Sequence, residues 1–60
     1  MTNLTQSELN SIREVVTCHQ TTACKLRSFA DQVHDGQIKQ MFSKASQDAQ
    51  RSAQTLIQLL

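Results

Sequence analysis

Residues 9–33 read LNSIREVVTCHQTTACKLRSFADQV, and their spacing decides the fold. The positions Leu9, Ile12, Val16, His19, Ala23, Leu26, Ala30 and Val33 are separated alternately by three and four residues. That alternation is the seam of a helix packed along its whole length on a neighbour. Val15, Thr22 and Phe29 lie seven apart beside it and widen the stripe on one side. A stripe wider than a coiled-coil seam suits a helix that touches more than one neighbour. Upstream, Thr5-Gln6-Ser7-Glu8 fits a capping box with Thr5 as N-cap and Glu8 three residues in, and Leu4 and Leu9 occupy the two positions of a hydrophobic staple.

Downstream, His34-Asp35-Gly36 interrupts the pattern. Asp35 is suited to cap a following helix and Gly36 to end the preceding one in a left-handed conformation, and the residue types leave both roles open. A second periodic run follows through Ile38, Phe42, Ala45, Ala49, Ser52, Leu56 and Leu59, flanked by Met41, Ala53 and Leu60. Its large residues sit at the ends and its small ones in the middle. The expected fold is therefore all-α: helix one over about 6–33, a turn at about 34–36 and helix two over about 37–59. So short a connection makes the helices antiparallel neighbours in a hairpin.

With 60 residues the chain is one domain, and a lone domain of this size is marginal. Small chains compensate with disulfides, a metal or oligomerisation. Cys18 and Cys24 are the only cysteines. On a continuous helix they are separated by a rise of about 9 Å and point in different directions, so an internal bridge is excluded. Two reduced thiols are expected, with a bridge between chains as the alternative. Cys18, His19, Cys24 and His34 offer no pair at the spacing that puts two ligands on one helix face. Oligomerisation is the remaining route, and the expected assembly is a homo-oligomer, a dimer closing a four-helix bundle or a tetramer. The residues expected in its core or interface are the two seams together with Phe29. Within the hairpin, Ser52 is the expected polar partner of His19.

Composition narrows function further. A formal net charge of +1 is not the footprint of a nucleic-acid binder. No apolar run approaches the ~20 residues needed to cross a bilayer. The opening residues Met1-Thr2-Asn3-Leu4-Thr5 lack the basic start and apolar core of a signal peptide, so a cytoplasmic protein is expected. Glu8, Glu14, Asp31, Asp35 and Asp48 are scattered, Gly36 stands alone, and no nucleophile has a base at a telling distance. The expectation is a protein without enzyme activity and without a cofactor.

The stretch Leu4–Leu9, the stretch Asp35–Phe42 and the ending Thr55–Leu60 together resemble the small spore-coat proteins of the coat-protein-F type, found in endospore-forming bacteria. The resemblance covers nearly the whole chain and rests mostly on helix caps, turn and core pattern. It implies half of a ferritin-like bundle, with a role in the spore coat and other coat proteins as further partners. Members of that family commonly carry a glutamate in the first helix and a Glu-x-x-His pair in the second. Those positions fall here on His19 and on Ala49 and Ser52. A di-iron carboxylate site needs inward-facing carboxylates, so the resemblance implies a ligand-free structural relative. Two alternatives stand beside this reading: a helical hairpin dimer binding RNA or DNA, and a metal-binding ferritin-like bundle.

Overall fold

A computed structural model describes residues 4–60. The first three residues, on which part of the signal-peptide reading rests, lie outside the described residues. Two helices make up the fold, α1 at Gln6–Gln32 and α2 at Gly36–Ile57. They run antiparallel and pack along their length as an all-α helical hairpin. No helix among the described residues is long and apolar enough to cross a membrane.

The start of α1 follows from its cap. Thr5 Oγ1 accepts the backbone N–H of Glu8 at 3.1 Å, and Glu8 Oε1 accepts the backbone N–H of Thr5 at 3.0 Å. Two N–H groups that the helix cannot satisfy internally are thereby paired. Inside the helix, Thr17 turns its hydroxyl back to the Arg13 carbonyl at 3.0 Å, as Thr55 does to Arg51 in α2. A β-branched polar residue is thus accommodated on an exposed helix face without competing for the seam.

The turn resolves the choice between Asp35 and Gly36. Asp35 is the N-cap of α2: its Oδ1 accepts the N–H groups of Gln37 at 2.9 Å and Ile38 at 3.0 Å. Gly36 is the first residue of α2, and no glycine has positive φ. The left-handed role therefore goes unused, and α1 ends through an extended Val33. A Cβ built on Gly36 meets nothing within 4 Å, so neither backbone strain nor crowding demands glycine there. At the far end α2 stops at Ile57, and the last turn tightens: Leu59 N–H reaches Leu56 O, and Leu60 N–H reaches Ile57 O, both at 3.0 Å. Bonds to the third residue back are the usual way a helix end uses its spare carbonyls.

Between the helices the closest packing is made by small residues. Val16, Ala23, Ala30, Ser46 and Ala53 are the buried side chains, and only Val16 among them is large. Small residues let the two backbones approach, and Ser46 shows how closely. Its hydroxyl donates to the Ala23 carbonyl at 2.8 Å, across the hairpin. That carbonyl also belongs to the α1 ladder, so Ser46 uses a second lone pair, and no buried polar side-chain atom among the described residues lacks a partner. Near the turn, Phe29 and Phe42 close the interface with ring centroids 6.0 Å apart and planes tilted by 49°. That separation lies within the range of favourable aromatic pairs.

Candidate functional site

The surface that a partner can use is built by helical spacing. Every residue of the expected α1 seam is buried or half-buried: Val16, Ala23 and Ala30 are buried, and Leu9, Ile12, His19, Leu26 and Val33 are half-buried. In α2 the residues turned to α1 are Phe42, Ser46, Ala49, Ala53 and Leu56. Their spacing of four, three, four and three is as regular as the run through Ala45 and Ser52. The helix is therefore rotated by roughly 50°, about half a residue, from the expected register: Phe42, Ala49 and Leu56 belong to both runs, and Ser46 and Ala53 take the places of Ala45 and Ser52. Ala45 is half-buried beside Ser46, and Ser52 is exposed beside Ala53. Ile38 and Leu59, also expected in the stripe, are 44% and 46% exposed. Phe29 remains 48% exposed despite its contact with Phe42.

The rotation has a physical cause. Side-chain hydropathy ranks Ala45 above Ser46 and cannot separate the two registers by periodicity. The backbone separation can: Ser46 fits against Ala23, and its hydroxyl finds a carbonyl there. The expected contact between Ser52 and His19 is thereby corrected, because the hydroxyl that crosses the hairpin is that of Ser46. The available signal was the seven-residue interval between Ser46 and Ala53, matching Val16, Ala23 and Ala30 in α1.

This register leaves one side of the hairpin apolar. Val15, Thr22 and Phe29 each precede a buried α1 residue by one position, and Met41, Ala45 and Ser52 each precede a seam residue of α2. One position is a rotation of about 100°. In antiparallel helices that face each other, the same step in the same sense points to the same side of the hairpin. Val15 at 43% exposure, Phe29, Ile38, Met41 at 70% and Leu59 thus share an open face. The opposite side is a shallow groove lined mainly by Gln20, Cys24, Arg27, Gln47, Gln50 and Gln54, with the exposed Ile57 at its far end.

The polar groups are distributed away from a common point. Glu8 and Asp35 are committed to helix starts. Asp48 lies 4.0 Å from Lys44 Nζ and 3.7 Å from Arg51 Nη1 on the exposed outer face of α2. Such exposed pairs contribute between about 0 and 1 kcal/mol. Cys18 and Cys24 are free and exposed. Among the described residues, no three His, Cys, Asp or Glu side chains come together in a way that could hold a metal ion. The Glu8 carboxyl is held below the ordinary range by the Thr5 backbone N–H and then by the Thr5 side chain.

The fold and the surface together define an all-α helical hairpin with one side richer in exposed apolar residues than the other. Comparison of the chain with protein-family models, curated proteins and solved structures finds no match.

Proposed function

We propose that the chain is a non-enzymatic structural module that works by helical self-association, two hairpins closing a four-helix bundle. The observation that carries this is the surface left uncovered. The hairpin exposes 4752 Å². A compact monomer of 6.8 kDa exposes about 3,950 Å². The excess is roughly 800 Å² per chain, which is what each partner contributes to an interface of standard size. The radius of gyration points the same way: 14.2 Å, against about 10 Å for a compact chain of this length.

The distribution of that surface supports the same reading. Large apolar side chains gather on one side of the hairpin, and the seam beneath them is too thin to form a core by itself. The acidic groups Glu8, Asp35 and Asp48 are engaged in caps and surface pairs, which suits a packing role more than chemistry. The proposed setting is inside the cell. Placement in a spore coat, beside other coat proteins, is carried by the sequence resemblance alone.

Sedimentation equilibrium of the full chain at micromolar concentration tests the proposal. The expected result is a mass of twice the chain, with helical circular dichroism that weakens on dilution; a higher multiple overturns the closed pair. A well-folded monomer across the concentration range overturns it.

A further inference from the structure

The apolar side also carries information about how a second copy would sit. Along α1 the large side chains are Ile12, Val15, His19, Leu26 and Phe29, with Thr22 the small residue between them. Along α2 the bulk is confined to the ends, Ile38 and Met41 by the turn and Leu56 and Leu59 at the far end. Ala45, Ala49 and Ser52 between them leave a shallow trough. The two helices of one hairpin therefore present unlike profiles, one a ridge and the other a saddle.

Two twofold arrangements bring the apolar sides face to face. A twofold across the long axis places α1 on the partner's α1 and α2 on the partner's α2, with the turns at opposite ends. That stacks ridge on ridge and saddle on saddle. Contact between the α1 helices would hold the saddles apart and leave voids in a layer that should be packed as densely as a protein interior. A twofold along the long axis places α1 on the partner's α2, with the turns at the same end. Ridge then meets saddle, which is the alternation of large and small that fills a bundle core.

Heights along the hairpin are set by contacts within one chain. Ala23 is level with Ser46, and Phe29 is level with Phe42. In the long-axis arrangement Leu26 then comes opposite the partner subunit's Ala45. His19 comes opposite the gap between the partner subunit's Ala49 and the partner subunit's Ser52. Bulk meets a small residue at both middle levels.

We propose that the second copy docks with its turn at the same end, α1 of each chain lying in the saddle of the other's α2. The inference rests on the self-association reading and adds the orientation of the partner. The contact is isologous, so each apolar side is used once and the assembly closes at two chains. All four neighbouring helix pairs are then antiparallel.

Spin labelling of the full chain tests the orientation. A nitroxide is attached at His34→Cys in a background with Cys18→Ser and Cys24→Ser; His34 and both native cysteines are exposed. Double electron–electron resonance then reads the distance between the two turns. With helix axes about 10 Å apart, the expected distance between label centres is about 20–25 Å. A distance near the 46 Å length of the hairpin puts the turns at opposite ends and overturns the orientation while leaving self-association intact. No intermolecular dipolar signal, together with a monomeric mass, overturns self-association itself. A label at Gln58→Cys, at the other end of the hairpin, offers the same pair of distances should the turn variant lose its helical signal.

Discussion

The two open sides of the hairpin are built from neighbouring residues and differ in kind. Stepping back one position from Val16, Ala23 and Ala30 gives Val15, Thr22 and Phe29; stepping forward one from Ala23 and Ala30 gives Cys24 and Asp31. In α2 the backward step from Ser46 and Ala53 gives Ala45 and Ser52, and the forward step gives Gln47 and Gln54. A rotation of about 100° therefore separates a surface that carries Val15, Phe29 and Met41 from one rich in glutamine, on which Ile57 is the exception. A hairpin that is apolar on both sides could stack without end. One that is apolar on a single side has a reason to stop at a closed pair.

The largest expected effect sets those sides directly against each other. Leu26 is half-buried between the seam and the apolar side, whereas Gln50 lines the polar groove. Leu26→Ala should cost about 2–5 kcal/mol in a denaturant titration of the associated protein, the usual range for a large-to-small core change. Gln50→Ala should stay within about 0.5 kcal/mol of the parent. A Leu26→Ala loss well under 1 kcal/mol would mean that the apolar side stays wet in solution.

The seam between the two sides should respond to added bulk. Ser46→Val places two methyl groups where a hydroxyl meets the Ala23 carbonyl, and should destabilise by about 1–3 kcal/mol through overpacking. Ser46→Ala removes only the hydrogen bond and should cost about 1 kcal/mol. The order of the two matters more than their size. If valine were tolerated better than alanine, the helices would not approach as closely as the hydrogen bond requires. At the turn, Asp35→Ala should cost about 0.5–2 kcal/mol, the usual loss of an N-cap, because two amide groups of α2 lose their acceptor. Thermal unfolding followed by circular dichroism is sufficient to rank these variants.

Sequence reading reached the hairpin because several local signals agreed. Thr5 and Glu8 cap α1 as their spacing requires, and the eight residues of the α1 run are buried or half-buried. It did not reach the rotation of α2. Two registers there have equally regular spacing, and hydropathy favours Ala45 over Ser46. What separates them is the backbone distance and the carbonyl of Ala23, which belong to the other helix. The turn shows the same limit. Asp35 and Gly36 each suited a cap, and the choice depended on the path by which Val33 leaves α1. The candidate interface was legible as a set of apolar positions. Its division into a buried seam and an open side required the packed hairpin.

The smallest expected effect lies outside both sides, at the start of α1, and its use is as a control. Glu8 is fully exposed, and its carboxylate accepts the Thr5 N–H, so its folded-state pKa lies below the ordinary value. Between the folded and unfolded pKa values the unfolded chain binds more protons than the folded one, and stability therefore rises with pH across that interval. The contribution is complete above the unfolded pKa and is lost as pH falls through the folded one. Glu8→Gln keeps an acceptor for the Thr5 N–H and removes the titration. Urea midpoints measured from about pH 6 down to about pH 3 should fall slightly less steeply in Glu8→Gln than in the parent. The difference should be the same on either side of the concentration at which the chains associate, because Thr5 and Glu8 belong to one chain and to neither open side. A pH response of Glu8→Gln that changed with protein concentration would place the helix start inside the interface, and the boundary of the apolar side would have to be redrawn to include it.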